Sequence, residues 1–367
     1  MHLQSLTLKG FRSYQETTVT FDPSLTTLVG ENNVGKSTIS LALTKLFARL
    51  SDTSVGVIGL EDYPYGVQGP LAFKATLALS PTELENLLIR PLLPLPPAYL
   101  EVHIAQMRDW LLQQGAEVVL EMGDSLGFFV EIRWGNLYFV ESQVTLEKPS
   151  WQGIKGQNQA WGDFLYAVAC TNQPPLPSEG VVTNAPILAR AVFGPILQQR
   201  FRRVEEFRTG SLPGQRSPAI EAMTGGDTAS VLLNLKSHVA RAERERYRQI
   251  TAAFAKLFPR YEIEAVEMVA GGGQADIQFI EKGHANPLSL SHVSAGVKQT
   301  LTLLVNLIGR QDLLLFVEHP EQHLHPHGMR FAQSLLVEAS RRNQIVVVTH
   351  DPHFVDRYSL QALSLHF

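Results

Sequence analysis

One cysteine in 367 residues, Cys170, is too few for a disulfide framework, so a hydrophobic core must hold the fold, and the chain suits a reducing compartment. Charge of neither sign dominates: a formal net charge of −4 excludes a uniformly basic nucleic-acid binder and leaves only local basic patches. No apolar run approaches membrane-spanning length, and Met1 to Ser5 lack the charged and apolar regions of a signal peptide, so a cytoplasmic protein without membrane attachment is expected. Sustained heptads, internal repeats and the HExxH zinc pattern are also missing, which sets aside a long coiled coil, a solenoid and the common zinc-peptidase site. With 44% hydrophobic residues the chain can bury a large core, as one big domain or a domain with an elaborated insertion.

What is present is Gly30-Glu-Asn32-Asn33-Val-Gly35-Lys36-Ser37-Thr38, which fills every position of the G-x-x-x-x-G-K-[ST] phosphate-binding loop. Leu25 to Val29 reads as a short buried strand and Ile39 to Leu50 as an amphipathic helix, so strand, loop and helix arrive in the order the motif requires. Gly30 and Gly35 let the backbone turn so that successive N–H groups and the helix N-terminus face the β- and γ-phosphates. Lys36 adds a point charge, Ser37 offers a hydroxyl to Mg2+, and Thr38 is a second hydroxyl at the start of the helix. ATP and Mg2+ are the cofactors this loop implies.

Around the loop, Leu3 to Phe21 alternates as two strands meeting near Gly10 to Ser13, and Leu71 to Leu79 as a strand running into a helix start at Ser80-Pro-Thr-Glu83. Residues 99–114 have helical spacing, and 117–144 carry β-rich runs broken at Gly123-Asp124 and Gly135-Asn136, as in a meander. Residues 151–180 read as a surface connection, 227–257 as one long helical segment, and 261–280 as two strands around Gly271-Gly-Gly273.

Three further stretches belong with the loop. Ser289 to Gln299, containing Ser294 and Gly296, precedes an apolar helix predicted over 300–308, whose N-terminus can meet a phosphate. The apolar run 313–317 ends in Glu318, placing a carboxylate at the exposed end of a buried strand, where it can hold Mg2+ through water. Residues 344–351 form another buried strand ending in polar residues able to face a γ-phosphate, His350 among them.

The order of these parts resembles the ABC-type ATPases of the RecF, SMC and OLD (overcoming lysogenization defect) class, with stand-alone OLD-like ATPases lacking a nuclease domain nearest in motif. The likeness covers residues 3–50 and about 207–358 and the middle only loosely. Val317-Glu318-His319-Pro320-Glu321 to His325-Pro326 is similar to the family's Walker B stretch, I-E-E-P-E-x-x-L-H-P. The resemblance implies an α/β fold: an ABC-type head with a mixed, largely parallel sheet plus an α+β insertion. It divides the chain into an N-terminal nucleotide-binding part (1–50), an insertion or arm (51–200) and a C-terminal part (201–367). It also implies ATP sandwiched in a homodimer, Ser294 and Gly296 acting on the partner's γ-phosphate, His350 as switch histidine, Phe11-Arg12 lining the nucleotide and Arg208 in an arginine loop beside it. DNA, in repair or phage defence, and a separate nuclease or effector subunit are the partners it suggests, since the chain ends at Phe367, seventeen residues beyond His350.

One departure bears on mechanism. Where the family has a second acidic residue after the Mg2+-holding one, to polarise the attacking water, this chain has His319, an imidazole in place of a carboxylate base, so modest hydrolysis or a hydrolysis-poor ATP switch is expected, with Glu321 as a substitute. His319, His323, His325 and His327 are read as loop and interface histidines rather than a metal centre. Arg241, Arg244, Arg246 and Arg248 interleave with Glu243 and Glu245 as on a solvated helix, whereas Arg202 and Arg203 are candidates for a phosphate backbone. A transporter nucleotide-binding subunit, a complete OLD-type nuclease, and a scaffold or inhibitory subunit of a toxin or defence complex are the alternatives; the long insertion disfavours the first and the missing acidic nuclease domain the second.

Overall fold

The structure is a computed structural model that describes residues 1–30, 35–50, 58–66, 69–84, 116–123, 128–134, 137–142, 181–183, 194–204, 222–223, 228–268, 274–284, 286–351 and 354. The helix expected over 99–114, the connection expected over 151–180, and Asn32, Asn33 and Arg208 lie outside them. The chain divides into two compact units, one formed by Met1–Pro23 and Thr38–Gln199, the other by Ser24–Ser37 and Arg200–Phe367.

In the first unit β1 (His2–Phe11) and β2 (Tyr14–Thr20) form the expected hairpin, turning at Arg12 and Ser13. They join β4 (Ala72–Leu79), β5 (Ala116–Met122), β6 (Phe128–Trp134), β7 (Leu137–Ser142) and β8 (Val181–Thr183) in a seven-stranded sheet, antiparallel except between β7 and β8. β4 buries every second residue, Phe73, Ala75, Leu77 and Leu79, as its alternation requires. Ser80 then caps a short helix: its N–H donates to Glu83 Oε2 at 3.0 Å and its Oγ accepts from Glu83 N–H at 3.4 Å, the reciprocal pattern of a capping box.

The same unit holds a buried ion cluster. The 58–66 loop brings Asp62, wholly buried, within 2.7 Å of Lys45 Nζ on α1 (Lys36–Leu50) and 3.6 Å of Arg12 Nε. Gly59 N–H donates to Asp62 Oδ2 at 3.0 Å, and Arg12 N–H to the Asp62 carbonyl at 2.7 Å. Arg12, at φ 51°, is thus held in its left-handed turn by Asp62.

The second unit contains a wholly parallel five-stranded sheet in the order β10 (Ala222–Met223), β9 (Phe201–Val204), β14 (Leu314–Glu318), β15 (Gln344–Thr349), β3 (Leu25–Val29). Every residue of β14 and β15 is buried, which is why both read as continuous apolar runs rather than alternating ones. The α/β class holds, with the parallel pairing concentrated in this sheet and only the β7–β8 pair parallel in the seven-stranded one.

Two helices, α2 (Thr228–Ser237) and α3 (Arg241–Leu257), replace the single helix expected over 227–257. Arg244 breaks it: its Nη1 donates to the carbonyls of His238 and Val239 at 2.6 and 2.7 Å, so neither needs a helical donor. The antiparallel sheet of β11 (Tyr261–Met268), β12 (Gln274–Glu281) and β13 (Leu288–Ser289) packs with α2, α3 and α4 (Ala295–Leu307) around one apolar cluster. α4 serves a second cluster too, burying Leu303 and Leu307 with β9, β14, β15 and α5 (Pro326–Ala339). Clamped between two cores, α4 fixes the position of its own N-terminus.

The far end of α4 corrects the reading of Arg246 as solvated. Arg246 is 4% exposed, and its Nε and Nη2 donate to the Ile308 and Val305 carbonyls at 2.7 and 2.5 Å, capping α4 before the left-handed Gly309. Burial, with smaller effects from neighbouring charges, lowers its pKa to about 10. Arg246→Ala is expected to lower unfolding free energy by about 2–4 kcal/mol in urea denaturation, because buried carbonyls lose a charged donor, whereas exposed Arg248→Ala, removing only a pair with Glu245, is expected to change it by less than about 0.5 kcal/mol.

Candidate functional site

Parallel strands put their carboxyl ends on one edge, where open α/β sheets bind ligands. At that edge β3 runs into Gly30, β14 ends in Glu318, β15 is followed by His350, and β9 ends just after Arg203.

Gly35 has φ 92°, a conformation that requires glycine in the loop; Gly30 is not left-handed and instead supplies a carbonyl to Lys36 Nζ at 2.7 Å. Lys36 is 6% exposed, and burial lowers its pKa, partly opposed by the negative charge of Glu321. Ser37 is half-buried and Thr38 buried at the start of α1.

Glu318 is 6% exposed and its Oε1 accepts a hydrogen bond from Arg203 Nε at 2.8 Å. The β9–β14 pairing sets Arg203 beside Phe316 and so aims it along the strand end. Arg203 therefore serves the carboxylate rather than a phosphate backbone, and Arg202 turns its Nη1 back to the Phe201 carbonyl at 2.8 Å. Separated from Glu318 by 115 positions, Arg203 carried no local sequence signal for this role.

After Glu318 the chain turns sharply: His319 and His323 have φ of 47° and 60°, Gln322 N–H bonds the His319 carbonyl, and Leu324 N–H bonds that of Glu321. His319 N–H is tied to the Val348 carbonyl at 2.8 Å, which brings the turn against the end of β15. Three side chains meet there. Glu321 Oε1 lies 3.4 Å from His319 Nδ1 and 3.3 Å from His350 Nδ1, and the two histidine rings stand 5.3 Å apart. Glu321 is 7% exposed and its Oε2 has no hydrogen-bond partner. Burial alone would raise its pKa; hydrogen bonding from His319, its own backbone amide and Thr349, with the charge of His319, outweighs burial and lowers it.

A lowered carboxyl pKa stabilises the fold fully above the unfolded value, near 4.5, and that stability is lost as pH falls through the lower folded value. Glu321→Gln is expected to flatten the fall in thermal stability below about pH 4.5 relative to the parent chain, measured as melting temperature against pH.

Ser294 is the N-cap of α4, which begins at Ala295, earlier than the start expected at Thr300; its side chain makes no capping hydrogen bond and is exposed. Gly296 is packed so closely that a Cβ there would lie 2.4 Å from the His323 carbonyl oxygen, so the glycine lets the helix start approach the turn after Glu318. His325 is the N-cap of α5 with Pro326 at its first position, which accounts for the His-Pro pair structurally. The structure thus gathers Lys36, Glu318, His319, Glu321 and His350 at one edge, while Arg12 belongs to the first unit.

Two family matches flank the middle of the chain. Residues 1–86 match the family described as "AAA ATPase domain", and residues 207–356 the family described as "AAA domain, putative AbiEii toxin, Type IV TA system". The chain carries a P-loop ATPase domain, matched in two stretches. The first match of this ATPase spans the phosphate loop and the second spans Ser294, Glu318 and His350, so the motif resemblance to P-loop ATPases holds in both stretches, and it implies ATP as ligand. No curated protein matches the ATPase. Solved structures similar to it include the SMC head bound to the C-winged helix domain of ScpA, at 14% identity over 96% of this chain and 91% of that one with TM-score 0.48. The SMC head domain from Thermotoga maritima gives 13% identity, 96% and 90% coverage and TM-score 0.42. An SMC head with an extended coiled coil, bound to the C-terminal domain of ScpA derived from Pyrococcus furiosus, gives 13%, 95% and 90%, and 0.44. No helix among the described residues is long and apolar enough to cross a membrane.

Proposed function

We propose that the ATPase works as an ATP-dependent homodimer that hydrolyses slowly and couples nucleotide state to a DNA transaction, in repair or phage defence, through a separate effector. The observation that carries the nucleotide half is the gathering of a buried lysine, a paired carboxylate and two histidines at the carboxyl edge of one parallel sheet. The coupling to DNA, the OLD-like affiliation and the separate effector rest on the motif resemblance.

In this reading Lys36 and the loop amides bind the β- and γ-phosphates, and His350 senses the γ-phosphate from the end of β15. Ser37 and Glu318 fit Mg2+ by donor chemistry: both are hard oxygen donors, and Mg2+ is held through few protein oxygens plus phosphates and water. When bound, the ion would neutralise charge on the phosphates. Arg203 keeps the Glu318 carboxylate oriented. Glu321, held ionised, orients His319 through Nδ1, so the imidazole positions the attacking water. Ser294, with an uncommitted capping role, and Gly296 complete the partner's site. His319 in place of an acidic residue favours one second reading, an ATP-binding switch or scaffold subunit with negligible turnover.

Dimerisation with ATP, measured by light scattering for the parent chain and Ser294→Arg with and without duplex DNA, tests the assembly. ATP-induced dimers in the parent and monomers in Ser294→Arg are expected; ATP-independent mass would sink the sandwich, and identical behaviour with and without DNA would count against DNA coupling.

A further inference from the structure

The three side chains beyond Glu318 also suit a different chemistry. His319 Nδ1, Glu321 Oε1 and His350 Nδ1 form a nearly equilateral triangle, with edges of 3.4, 3.3 and 3.4 Å. As hydrogen bonds these are long, since N–H···O contacts centre near ~2.9–3.0 Å, and one edge sets an imidazole nitrogen against another. As edges of a tetrahedron they fit: an ion with bonds of about 2.0–2.1 Å to nitrogen and oxygen has ligand atoms about 3.3–3.4 Å apart. A second observation points the same way. Glu321 is 93% buried by its 7% exposure, yet its Oε2 has no partner, so the pocket carries an uncompensated carboxylate oxygen beside the triangle.

We propose that His319, Glu321 and His350 form a binding site for a first-row transition ion, Zn2+ by the tetrahedral spacing, with the fourth position open to water. Two imidazoles disfavour Mg2+ and Ca2+, so this site is chemically separate from the oxygen pair of Ser37 and Glu318. The sequence concealed it because the obvious histidines, His323, His325 and His327, are exposed, while the third ligand, His350, follows β15. The inference rests on this triangle and not on nucleotide binding. Its consequence reaches the nucleotide reading, since an ion held here withdraws His319 and His350 from the γ-phosphate and arrests the switch.

The test is titration of the chelator-treated full chain with Co2+, then Zn2+, without nucleotide. One Co2+ per chain with the intense visible absorption of a tetrahedral ion is expected, displaced by Zn2+ and unaffected by excess Mg2+. His350→Ala and Glu321→Gln, each confirmed as folded by circular dichroism, are expected to weaken Co2+ binding at least roughly 100-fold, beyond the 10–100-fold that loss of an outer-shell partner costs. Exposed His327→Ala is expected to change nothing. Lys36→Ala, which removes a cation near Glu321, is expected to bind Co2+ at least as tightly as the parent, so failure of the nucleotide reading leaves this result standing. A weak octahedral spectrum, or binding lost with His327 and not with His350, overturns the proposal.

Discussion

Lys36→Ala is expected to weaken ATP binding by at least roughly 100-fold, about 2.7 kcal/mol, the scale of one or two charge-assisted hydrogen bonds to phosphate. The amine is already placed for this: it is nearly buried, spans the loop to the Gly30 carbonyl at 2.7 Å, and sits near a negative Glu321 that favours its charged form. Because burial itself disfavours that charge, the position is tolerated at a cost that a triphosphate would offset. Lys36→Met keeps the apolar stem and loses only the charge, so an equal loss in Met and Ala variants assigns the effect to the amine rather than to packing. Equilibrium titration with a fluorescent ATP analogue gives the answer, with circular dichroism confirming the fold; an unchanged dissociation constant would remove Lys36 from the site.

Asp62→Ala is expected to cost about 3–5 kcal/mol of stability, the range for breaking a buried ion pair by removing one partner. Asp62 has no exposed surface, and Lys45, 9% exposed, would be left charged beside an apolar side chain. The Gly59 N–H would also lose its acceptor, loosening the loop whose carbonyl holds Arg12 N–H. The double variant Asp62→Leu with Lys45→Met is expected to recover most of the loss, since an apolar pair of similar volume replaces a buried ion pair at little cost. Urea denaturation of the full chain distinguishes these outcomes; a loss under about 1 kcal/mol for Asp62→Ala would show that the pair is solvent-screened after all.

Local chemistry made part of this protein legible before its structure. The buried runs of β14 and β15, the β1–β2 hairpin, the β5–β7 meander and the Ser80 capping box follow from periodicity and turn residues alone. What escaped was long-range or side-chain driven. No Gly or Pro marks the break at residues 238–240, because Arg244 makes it from within α3. The start of α4 looked later than it is because polar Lys298 and Gln299 interrupt the apolar pattern, although Gln299 is fully buried. The β1–β2 hairpin falls within the stretch 1–50 read as nucleotide-binding, yet it pairs with β4, a partner only sheet formation reveals. Within the site, Lys36, Glu318 and His350 were legible from strand ends and the loop. The pairing of Glu318 with Arg203, and of Glu321 with two histidines, was not: it depends on the register that sets Glu318 opposite Val348.

His319 carries the central claim that this ATP site is built for slow turnover, and steady-state ATP hydrolysis by the full chain with Mg2+, compared with His319→Glu, tests it most directly. Slow hydrolysis by the parent chain and a rise of roughly 10-fold or more in His319→Glu are expected, within the range a better-matched general base supplies. Fast hydrolysis by the parent that falls in His319→Glu would contradict it.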